Sequence, residues 1–281
     1  MPSLQLSKKR PRKPISPWRT AATSDRHELY EHSVQSPVDE SALIDRVFRS
    51  LRHRTPTSLR EDFCGTHLLS ATWVKQRATN WACGFDRDPK VLAWGRSRRS
   101  TELNPSQLKR LHIECGDARS QNWTPVDVVA AFNFSYYLFK ERAELIRYFK
   151  HARTQIKSGG IMFLDCYGGY DSFSEQTDER DLDGFTYHWE TEHYDPISGD
   201  VLNHIHFTFP DGSRLRKAFT YDWRLWCIPE IRECLAEAGF RKTHVYWEGT
   251  NHAAGDGNGI FKKATVGEAC GGWIAYIAAE K

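Results

Sequence analysis

Two stretches decide the fold of this chain: Leu59-Arg-Glu-Asp-Phe-Cys-Gly-Thr66 and Gly84-Phe-Asp86-Arg-Asp-Pro89. In the first, an apolar run leads into a tight turn at Gly65, and in the second an apolar run ends in Asp86. A strand, a glycine turn, a helix and a second strand that ends in a carboxylate form the nucleotide-gripping half of a βαβ unit. The sequence therefore predicts an adenosine-binding site built around Gly65 and Asp86.

The residues of the glycine turn discriminate between cofactors. Dinucleotide-binding turns carry three glycines that let the backbone approach a pyrophosphate, whereas Phe63 and His67 flank a single glycine here. Glu61 and Asp62 stand just before the turn, where carboxylates would repel a pyrophosphate and suit a positively charged ligand. Asp86 suits the two ribose hydroxyls of any adenosine cofactor. Together these features favour a cationic adenosine cofactor, such as a sulfonium.

This turn resembles the first motif of the class I S-adenosylmethionine-dependent methyltransferases. The resemblance puts Glu61 at that family's acidic position and Cys64-Gly65-Thr66 in its glycine turn, with Phe63 and His67 where the family usually has glycine. Three later stretches resemble further motifs of the family: Glu114–Arg119, Val126–Asn133 and Ile156–Asp165. Residues 55–167 therefore carry four motifs in the family's order.

The resemblance implies S-adenosyl-L-methionine as the cofactor and implies which residues bind it. Asp86 would bind the ribose and Asp117 would face the adenine amino group, whereas Asp88 before Pro89 reads as a helix N-cap. Tyr30 could reach the methionyl end or could be a core tyrosine, and Cys64 is a small packing residue rather than a nucleophile. The full predicted cofactor set is Tyr30, Glu61, Phe63, Cys64, Gly65, Thr66, Asp86, Arg87, Asp117, Ala118, Arg119, Asn133, Phe134 and Ser135.

Apolar strands alternate with amphipathic helices up to Tyr167, which predicts right-handed βαβ units. With the resemblance, the expected fold class is α/β: a Rossmann-like, seven-stranded, mostly parallel sheet with helices on both faces. After the fifth strand, aromatic runs at 185–194, 201–209 and 214–223 predict a three-stranded antiparallel β insert. A helix from residue 228 and two final strands would close the main sheet, with 249–271 as a long loop.

The expected domain organisation has three parts. Residues 1–24 form a disordered basic arm, residues 25–168 plus 228–281 form the S-adenosylmethionine-binding domain, and residues 169–227 form the insert. The arm is rich in lysine, arginine and proline, and it is either a solvated tail or a docking element for RNA, a membrane surface or an import receptor. The insert would form the acceptor pocket or a homo-oligomer interface.

Composition excludes several classes of protein. The 281 residues carry a formal net charge of +3 and contain no apolar run long enough for a membrane span. The N-terminus lacks the apolar segment of a signal peptide. The seven cysteines form no C-x-x-C pair, which favours buried thiols in a reducing compartment over disulfides or a zinc site. The cytoplasm is the expected location.

The acceptor site is predicted beyond the fourth strand, where the methyl group should project. Tyr136 and Tyr137 are catalytic candidates that could orient an amine or hydroxyl, or could simply form the pocket wall. His204 is a third candidate; with His206 it shares one strand face, which permits general-base work or metal ligation, although cross-strand pairing is the commoner use. No metal site is therefore predicted. Asp222, Trp223 and Trp226 could enclose a cationic or aromatic acceptor.

The predicted function is methyl transfer from S-adenosylmethionine to an N or O atom of a small molecule by in-line displacement. A nucleic-acid or protein methyltransferase docked through the basic arm is the first alternative, although Asn133-Phe-Ser-Tyr lacks the Asn/Asp-Pro-Pro-Tyr/Phe signature of base-amino methylation. A non-catalytic cofactor-binding partner protein is the second alternative. A nicotinamide dehydrogenase comes last because the pyrophosphate site is missing.

Overall fold

The computed structural model describes residues 19–251 and 256–281, which form two β-sheets and a set of helices. The helices are α1 Arg26–Ser33, α2 Pro37–Arg52, α3 Leu68–Gln76, α4 Pro89–Glu102, α5 Pro105–Leu108, α6 Arg142–Thr154 and α7 Ile228–Glu237. The strands are β1 Ser58–Asp62, β2 Trp81–Asp86, β3 Leu111–Cys115, β4 Val126–Ala131, β5 Ile156–Gly168, β6 Gln176–Leu182, β7 Phe185–Tyr194, β8 Asp200–Thr208, β9 Arg214–Arg224, β10 Lys242–Asn251, β11 Asp256–Ala264 and β12 Trp273–Glu280.

The large sheet has eight strands in the order β11-β10-β12-β5-β4-β1-β2-β3. Strands β1 to β5 are parallel, whereas β12 runs antiparallel to both β5 and β10. The chain moves outward to one side after β1 and to the other side after β4, so the two strands flank the point where the strand order reverses. In open α/β sheets, ligands bind at such a point, beyond the carboxyl ends of the strands. The predicted α/β class is confirmed.

One strand of the large sheet was not predicted. Strand β11 pairs with β10 inside the segment 249–271, which the sequence indicates as a loop. This edge strand is rich in glycine and largely exposed, so it lacks the alternating apolar pattern by which a half-buried strand is recognised. Phe261 anchors it by packing on Tyr276, with ring centroids 4.6 Å apart.

Helices cover both faces of the large sheet. On one face, α2 and α3 pack over Leu59, Val128 and Phe163, and on the other, α6 and α7 pack over residues that include Val129 and Met162. Side chains of neighbouring strand positions therefore enter different cores. Among the helices that the structure describes, none has the length and hydrophobicity needed to cross a bilayer.

The insert is a separate antiparallel sheet in the order β6-β7-β8-β9. Strand β6 was missed because its sequence, Gln-Thr-Asp-Glu-Arg-Asp-Leu, holds almost no apolar residue. The insert turns its apolar residues, among them Phe185, Ile205 and Phe207, toward Leu29 of α1. This aromatic face is packed inside the molecule; the predicted roles of the insert, as part of an acceptor pocket or as an oligomer interface, both stay predictions.

The predicted boundary of the basic arm is wrong. Residues 1–18 of the predicted arm lie outside the described residues, but residues 19–24 pack against the rest of the chain. The amide of Ala21 donates to Ser213 Oγ at 2.8 Å, and Arg19 forms an ion pair with Glu28 at 3.1 Å. Residues 19–24 therefore belong to the packed part of the chain, upstream of the predicted start at Asp25.

Candidate functional site

The turn between β1 and α3 keeps a left-handed backbone without the usual glycines. Phe63, Gly65 and His67 have φ angles of 59°, 50° and 49°. For residues other than glycine this conformation costs about 1–2 kcal/mol each, so packing must stabilise it. Phe63 packs on Tyr148 with ring centroids 5.4 Å apart, and the buried His67 ring packs against Gly95 of α4, where a Cβ atom would lie 2.5 Å from Cε1.

Three side chains of this turn, those of Cys64, Thr66 and His67, are buried in the protein interior. Burial lowers the pKa of His67 to about 3, so its ring is neutral at physiological pH. Cys64 is buried, packs on Gly84 and has a pKa well above the usual thiol value because of that burial, which supports a packing role over a nucleophile. The hydroxyl of Thr66 is buried and has no hydrogen-bond partner among the described residues.

Asp86 at the end of β2 pins this turn in place. Its Oδ2 accepts a hydrogen bond from the Gly65 amide at 2.9 Å, and its Oδ1 accepts one from the Asp88 amide at 2.9 Å. The side chain is only partly buried, so it retains lone pairs for further donors. Asp88 caps α4 by accepting from the Lys90 amide, as predicted.

The two carboxylates before the turn point to opposite faces of the sheet. Asp62 accepts from Arg60 Nε at 2.7 Å and from the Tyr148 hydroxyl at 3.0 Å, so it is neutralised within the core. The expectation that Asp62 would favour a cationic ligand is therefore wrong. Glu61 lies on the other face and accepts from the amide and the hydroxyl of Ser70 at 2.9 and 2.5 Å.

Three buried carboxyl groups lie at the carboxyl edge of the sheet on the α2 face, and we call Glu40, Glu61 and Asp165 the acidic cluster. Glu40 comes from the first turn of α2, Glu61 from β1 and Asp165 from β5. Desolvation by burial raises the pKa of Glu40 to about 8 and those of Glu61 and Asp165 to about 7. The negative charges of Asp165 and Glu61 raise the pKa of Glu40 further.

None of these carboxyl groups forms an ion pair with lysine or arginine in the described part of the chain. Arg99 lowers the pKa of Glu61 through space, but its guanidinium pairs with Glu31 at 2.8 Å. Buried carboxylates are normally paired, because an isolated charge in a protein interior is expensive. A cationic ligand bound beside the acidic cluster would therefore supply the positive charge that these carboxyl groups lack.

The loop after β4 is held by Asp165. Its carboxylate accepts hydrogen bonds from the amides of Asn133 and Phe134 at 2.7 and 3.0 Å. Both loop residues have left-handed φ angles, 57° and 56°. The hydroxyl of Ser135 donates to the carbonyl of Phe132 at 2.9 Å, so it closes the loop rather than pointing outward.

Tyr136 and Tyr137 lie in the core. Both are fully buried, the Tyr136 hydroxyl donates to the Asp165 carbonyl at 2.7 Å, and the Tyr137 hydroxyl donates to the Trp226 carbonyl at 3.1 Å. Burial keeps both pKa values far above the usual phenol range. Because both hydroxyls are satisfied inside the core, we no longer assign a catalytic role to either tyrosine.

At the end of β3, the carboxylate of Asp117 is bound to Arg119. It accepts from the Arg119 amide at 2.9 Å and from the guanidinium Nη2 at 2.7 Å, and these bonds lower the pKa of Asp117. The Arg87 guanidinium lies 3.9 Å away and is largely exposed. The Ala118 carbonyl accepts from Arg60 at 3.1 Å. These predicted cofactor residues therefore do meet at one end of the sheet.

An aromatic wall links the loop after β4 to the inner face of the insert. Its members are partly buried or buried rings from α1, the loop, β5 and the insert: Tyr30, Phe134, Tyr167, Trp189, Tyr221 and Trp223. Phe134 packs on Tyr167 at 4.7 Å and Tyr221 on Trp223 at 4.4 Å between ring centroids. Tyr30 and Tyr221 pack in the same cluster, and Asn203 Nδ2 lies 3.4 Å from the Tyr167 hydroxyl.

The remaining acceptor candidates lie elsewhere. His204 is on the opposite face of β8 from Asn203 and the aromatic wall, so the structure contradicts its catalytic assignment. Trp226 is buried in the core, where its indole N–H donates to the Phe139 carbonyl at 3.1 Å. Asp222 is exposed and pairs with Lys140. Of the three residues predicted to enclose the acceptor, only Trp223 belongs to the wall.

Sequence reasoning missed Glu40 and did not include Asp165 in the site. A signal was present for both, because each is a carboxylate at an apolar position: Glu40 lies on the buried stripe of α2, and Asp165 lies within the apolar run of β5. Of the six rings of the wall, Tyr30, Phe134 and Trp223 were candidates from the sequence, whereas Tyr167, Trp189 and Tyr221 were not.

No known protein-family model and no curated protein matches this chain. Solved structures do. An S-adenosylmethionine-dependent methyltransferase from Clostridium acetobutylicum superposes with a TM-score of 0.65 at 17% identity, covering 89% of this chain and 96% of the other. DesVI from Streptomyces venezuelae gives 0.64 at 16% identity, covering 91% and 98%. CalS10, an amino pentose methyltransferase from Micromonospora echinaspora, gives 0.62 at 14% identity, covering 91% and 96%. The chain thus has the fold of these proteins.

Proposed function

We propose that this chain is an S-adenosylmethionine-dependent methyltransferase that methylates a small molecule, with an amine nitrogen as the favoured acceptor atom and an oxygen as the alternative. The observation that carries the proposal is the acidic cluster of Glu40, Glu61 and Asp165. A sulfonium with an amino-acid head carries positive charges that these buried carboxylates would match. A pyrophosphate would be repelled by them, which argues against a nicotinamide cofactor.

The residues at the carboxyl edge fit the remaining parts of this cofactor. Asp86 would accept from the ribose hydroxyls while it holds the Gly65 amide, and Asp117, oriented by Arg119, would face the adenine. An added Cβ at Gly65 would meet no atom within 4 Å, so the turn leaves space on that side. When bound, the cofactor would supply an electrophilic methyl group, and the protein's task is then to position the acceptor and exclude water.

The aromatic wall would form the acceptor site. Its rings present π faces, which attract cations, and the Tyr167 hydroxyl and the Asn203 amide add polar groups that could orient an amine or a hydroxyl. The wall shares Phe134 with the loop held by Asp165, so the two parts of the site are adjacent. The structures with the same fold include a protein described as a sugar N-methyltransferase, which agrees with an amine acceptor.

Calorimetry with the charged cofactor and its neutral product tests the proposal. At pH 8.5, above the raised pKa values of about 8 and 7, Glu40→Gln and Glu61→Gln keep the shape of each side chain but remove its charge. We expect each to weaken S-adenosylmethionine binding by about tenfold or more, because each loses a charge-assisted contact worth about 1.5–3 kcal/mol. S-adenosylhomocysteine, whose sulfur is neutral, should lose less. Glu233→Gln on the exposed side of α7 is the matched control. Unchanged affinity for the charged cofactor in both variants would contradict the proposal.

A further inference from the structure

The outer face of the insert, opposite the aromatic wall, carries a cluster of metal-ligating side chains. A carboxylate oxygen of Glu190, a carboxylate oxygen of Glu192 and a ring nitrogen of His204 all lie within 4.8 Å of one another. Glu190 is paired with His204 across β7 and β8, and an irregularity in the ladder after Thr191 leaves Glu192 unpaired in the register. The bulge therefore brings a second carboxylate to the same histidine.

His204 is oriented as a metal ligand would be. The side chain is 2% exposed, and its Nδ1 lies 2.9 Å from the Thr220 hydroxyl oxygen, which can accept a proton from Nδ1. This tautomer leaves a lone pair on Nε2. Nε2 is buried and makes no hydrogen bond, although a Glu192 oxygen lies only 2.7 Å away, out of line with the ring's N–H direction. With Nδ1 protonated, Nε2 and this oxygen are two acceptors in contact, and a cation on the Nε2 lone pair would offset their repulsion.

The neighbouring His206 is fixed in the other tautomer. The Lys217 amide donates to its Nδ1 at 3.0 Å, so a neutral His206 carries its proton on Nε2 and donates to a Glu190 oxygen at 2.8 Å. Its ligand lone pair is thus used, and His206 orients Glu190 rather than binding a metal itself. The Lys217 ammonium lies 2.5 Å from a Glu192 oxygen and would compete with a bound cation.

From this geometry we infer that the outer face of the insert binds a divalent transition-metal ion such as Zn²⁺. Its ligands are Glu190, Glu192 and His204 Nε2. Two carboxylates balance the charge of the ion, and imidazole nitrogen with carboxylate oxygen is a ligand set that suits zinc, with water completing the coordination shell. Because the site joins β7 to β8 on the far face from the aromatic wall, it would stabilise the insert and take no part in methyl transfer.

Isothermal titration of the full chain with ZnCl₂ tests this inference. We expect one saturable site in the unaltered protein that the double variant Glu190→Gln, Glu192→Gln weakens by at least about a hundredfold, given losses of about 1.4 kcal/mol for each factor of ten. His188→Gln is the matched control, since it removes a histidine from the same face that contacts Thr208 and Glu179 and no ligand, and it should bind within about threefold of the unaltered protein. Removal of the competing ammonium by Lys217→Met should tighten binding.

A second measurement separates this site from the cysteine thiols. Co²⁺ bound by nitrogen and oxygen ligands gives visible d–d absorption without the intense ultraviolet bands of thiolate coordination. Circular dichroism of each variant verifies that it is folded, and the three exchanged side chains other than His188 are all at least one-third exposed. Zinc binding that is absent from the unaltered protein, unchanged in the double variant, or lost in His188→Gln would overturn the inference.

Discussion

The residues with the tightest steric constraint are those around the glycine turn. His67 holds a left-handed conformation that a histidine rarely adopts, and it does so because its ring fills the space over Gly95. The close approach between the turn and α4 still requires a glycine. That glycine is Gly95 in α4 and not a residue of the turn.

A methyl group at Gly95 should therefore disturb the turn. An added Cβ would lie 2.5 Å from His67 Cε1 and 2.6 Å from the Thr66 carbonyl oxygen. We expect Gly95→Ala to destabilise the protein by about 1–3 kcal/mol through overpacking, although alanine favours helix, and to weaken cofactor binding. Urea unfolding and calorimetry check this, with the exposed Ser97→Ala in the same helix as the control. A Gly95→Ala protein as stable as the control would contradict the packing described here.

The acidic cluster makes a prediction about pH. A carboxyl group whose pKa is higher in the folded state binds a proton on folding. It therefore stabilises the folded protein most at pH values below its unfolded pKa, which is 4.5 for Glu40. This contribution is lost as the pH rises to the folded pKa of about 8. We expect Tm without ligand to fall from pH 5.5 to pH 8.5, and to fall less in Glu40→Gln. S-adenosylmethionine should raise Tm more at pH 8.5, where the carboxylates are charged.

The deciding quantity is the difference in Tm between the unaltered protein and Glu40→Gln at each pH. Other titrating groups are shared by both, so they cancel in that difference. If the slope of Tm against pH is the same with Glu40 and with Gln at this position, then the carboxyl of Glu40 is not held with a raised pKa.

At the scale of elements, the strands and helices of the main domain were predictable because their patterns are local. Helix α2 shows a clear apolar stripe, and β4 is a short apolar run between turn residues. Strands β6 and β11 were not predictable, because both are polar, partly exposed edge strands that pair only once the rest of the sheet exists. Their conformation is set by tertiary pairing and not by their own residues.

The insert contributes its inner face to the proposed acceptor site. A substitution on that face should therefore affect acceptor binding and leave cofactor binding unchanged. Trp189 packs on Tyr221 and Trp223 at 5.8 and 6.1 Å between ring centroids and lies on β7, away from the glycine turn. We expect Trp189→Ala to raise KM for the acceptor by about tenfold, in line with the loss of an aromatic contact surface, while Kd for S-adenosylmethionine stays unchanged. Once an acceptor is known, steady-state kinetics beside calorimetry check this.

His188→Ala is the control for that variant, since it lies on the same strand but faces the opposite side, where it contacts Thr208. It should leave both constants unchanged. If His188→Ala raised the acceptor KM more than Trp189→Ala does, the acceptor would bind at the outer face of the insert, which would contradict the proposal.

At the scale of the whole molecule, the sequence predicted the edge of the sheet at which the candidate site lies but not the full composition of that candidate site. Asp86 and Glu61 were identifiable because each lies in a sequence motif that coincides with the end of a strand, β2 for Asp86 and β1 for Glu61. Trp189 and Tyr221 were not identifiable, because they lie far from Tyr30 in sequence and only the docking of α1 on the insert brings the three rings together. Tyr136 and Tyr137 show the converse, since proximity to a motif in sequence did not mean access to the site.

Asp165 belongs to the acidic cluster and also anchors the loop that carries Phe134 of the aromatic wall. A positive charge placed beside this carboxylate alters its protonation, and with it the strength of the two amide bonds that set the position of the loop. Occupancy on one side of Asp165 is thus linked energetically to occupancy on the other, and such linkage is reciprocal. Donor and acceptor should therefore bind with heterotropic cooperativity, each changing the other's affinity by the same factor.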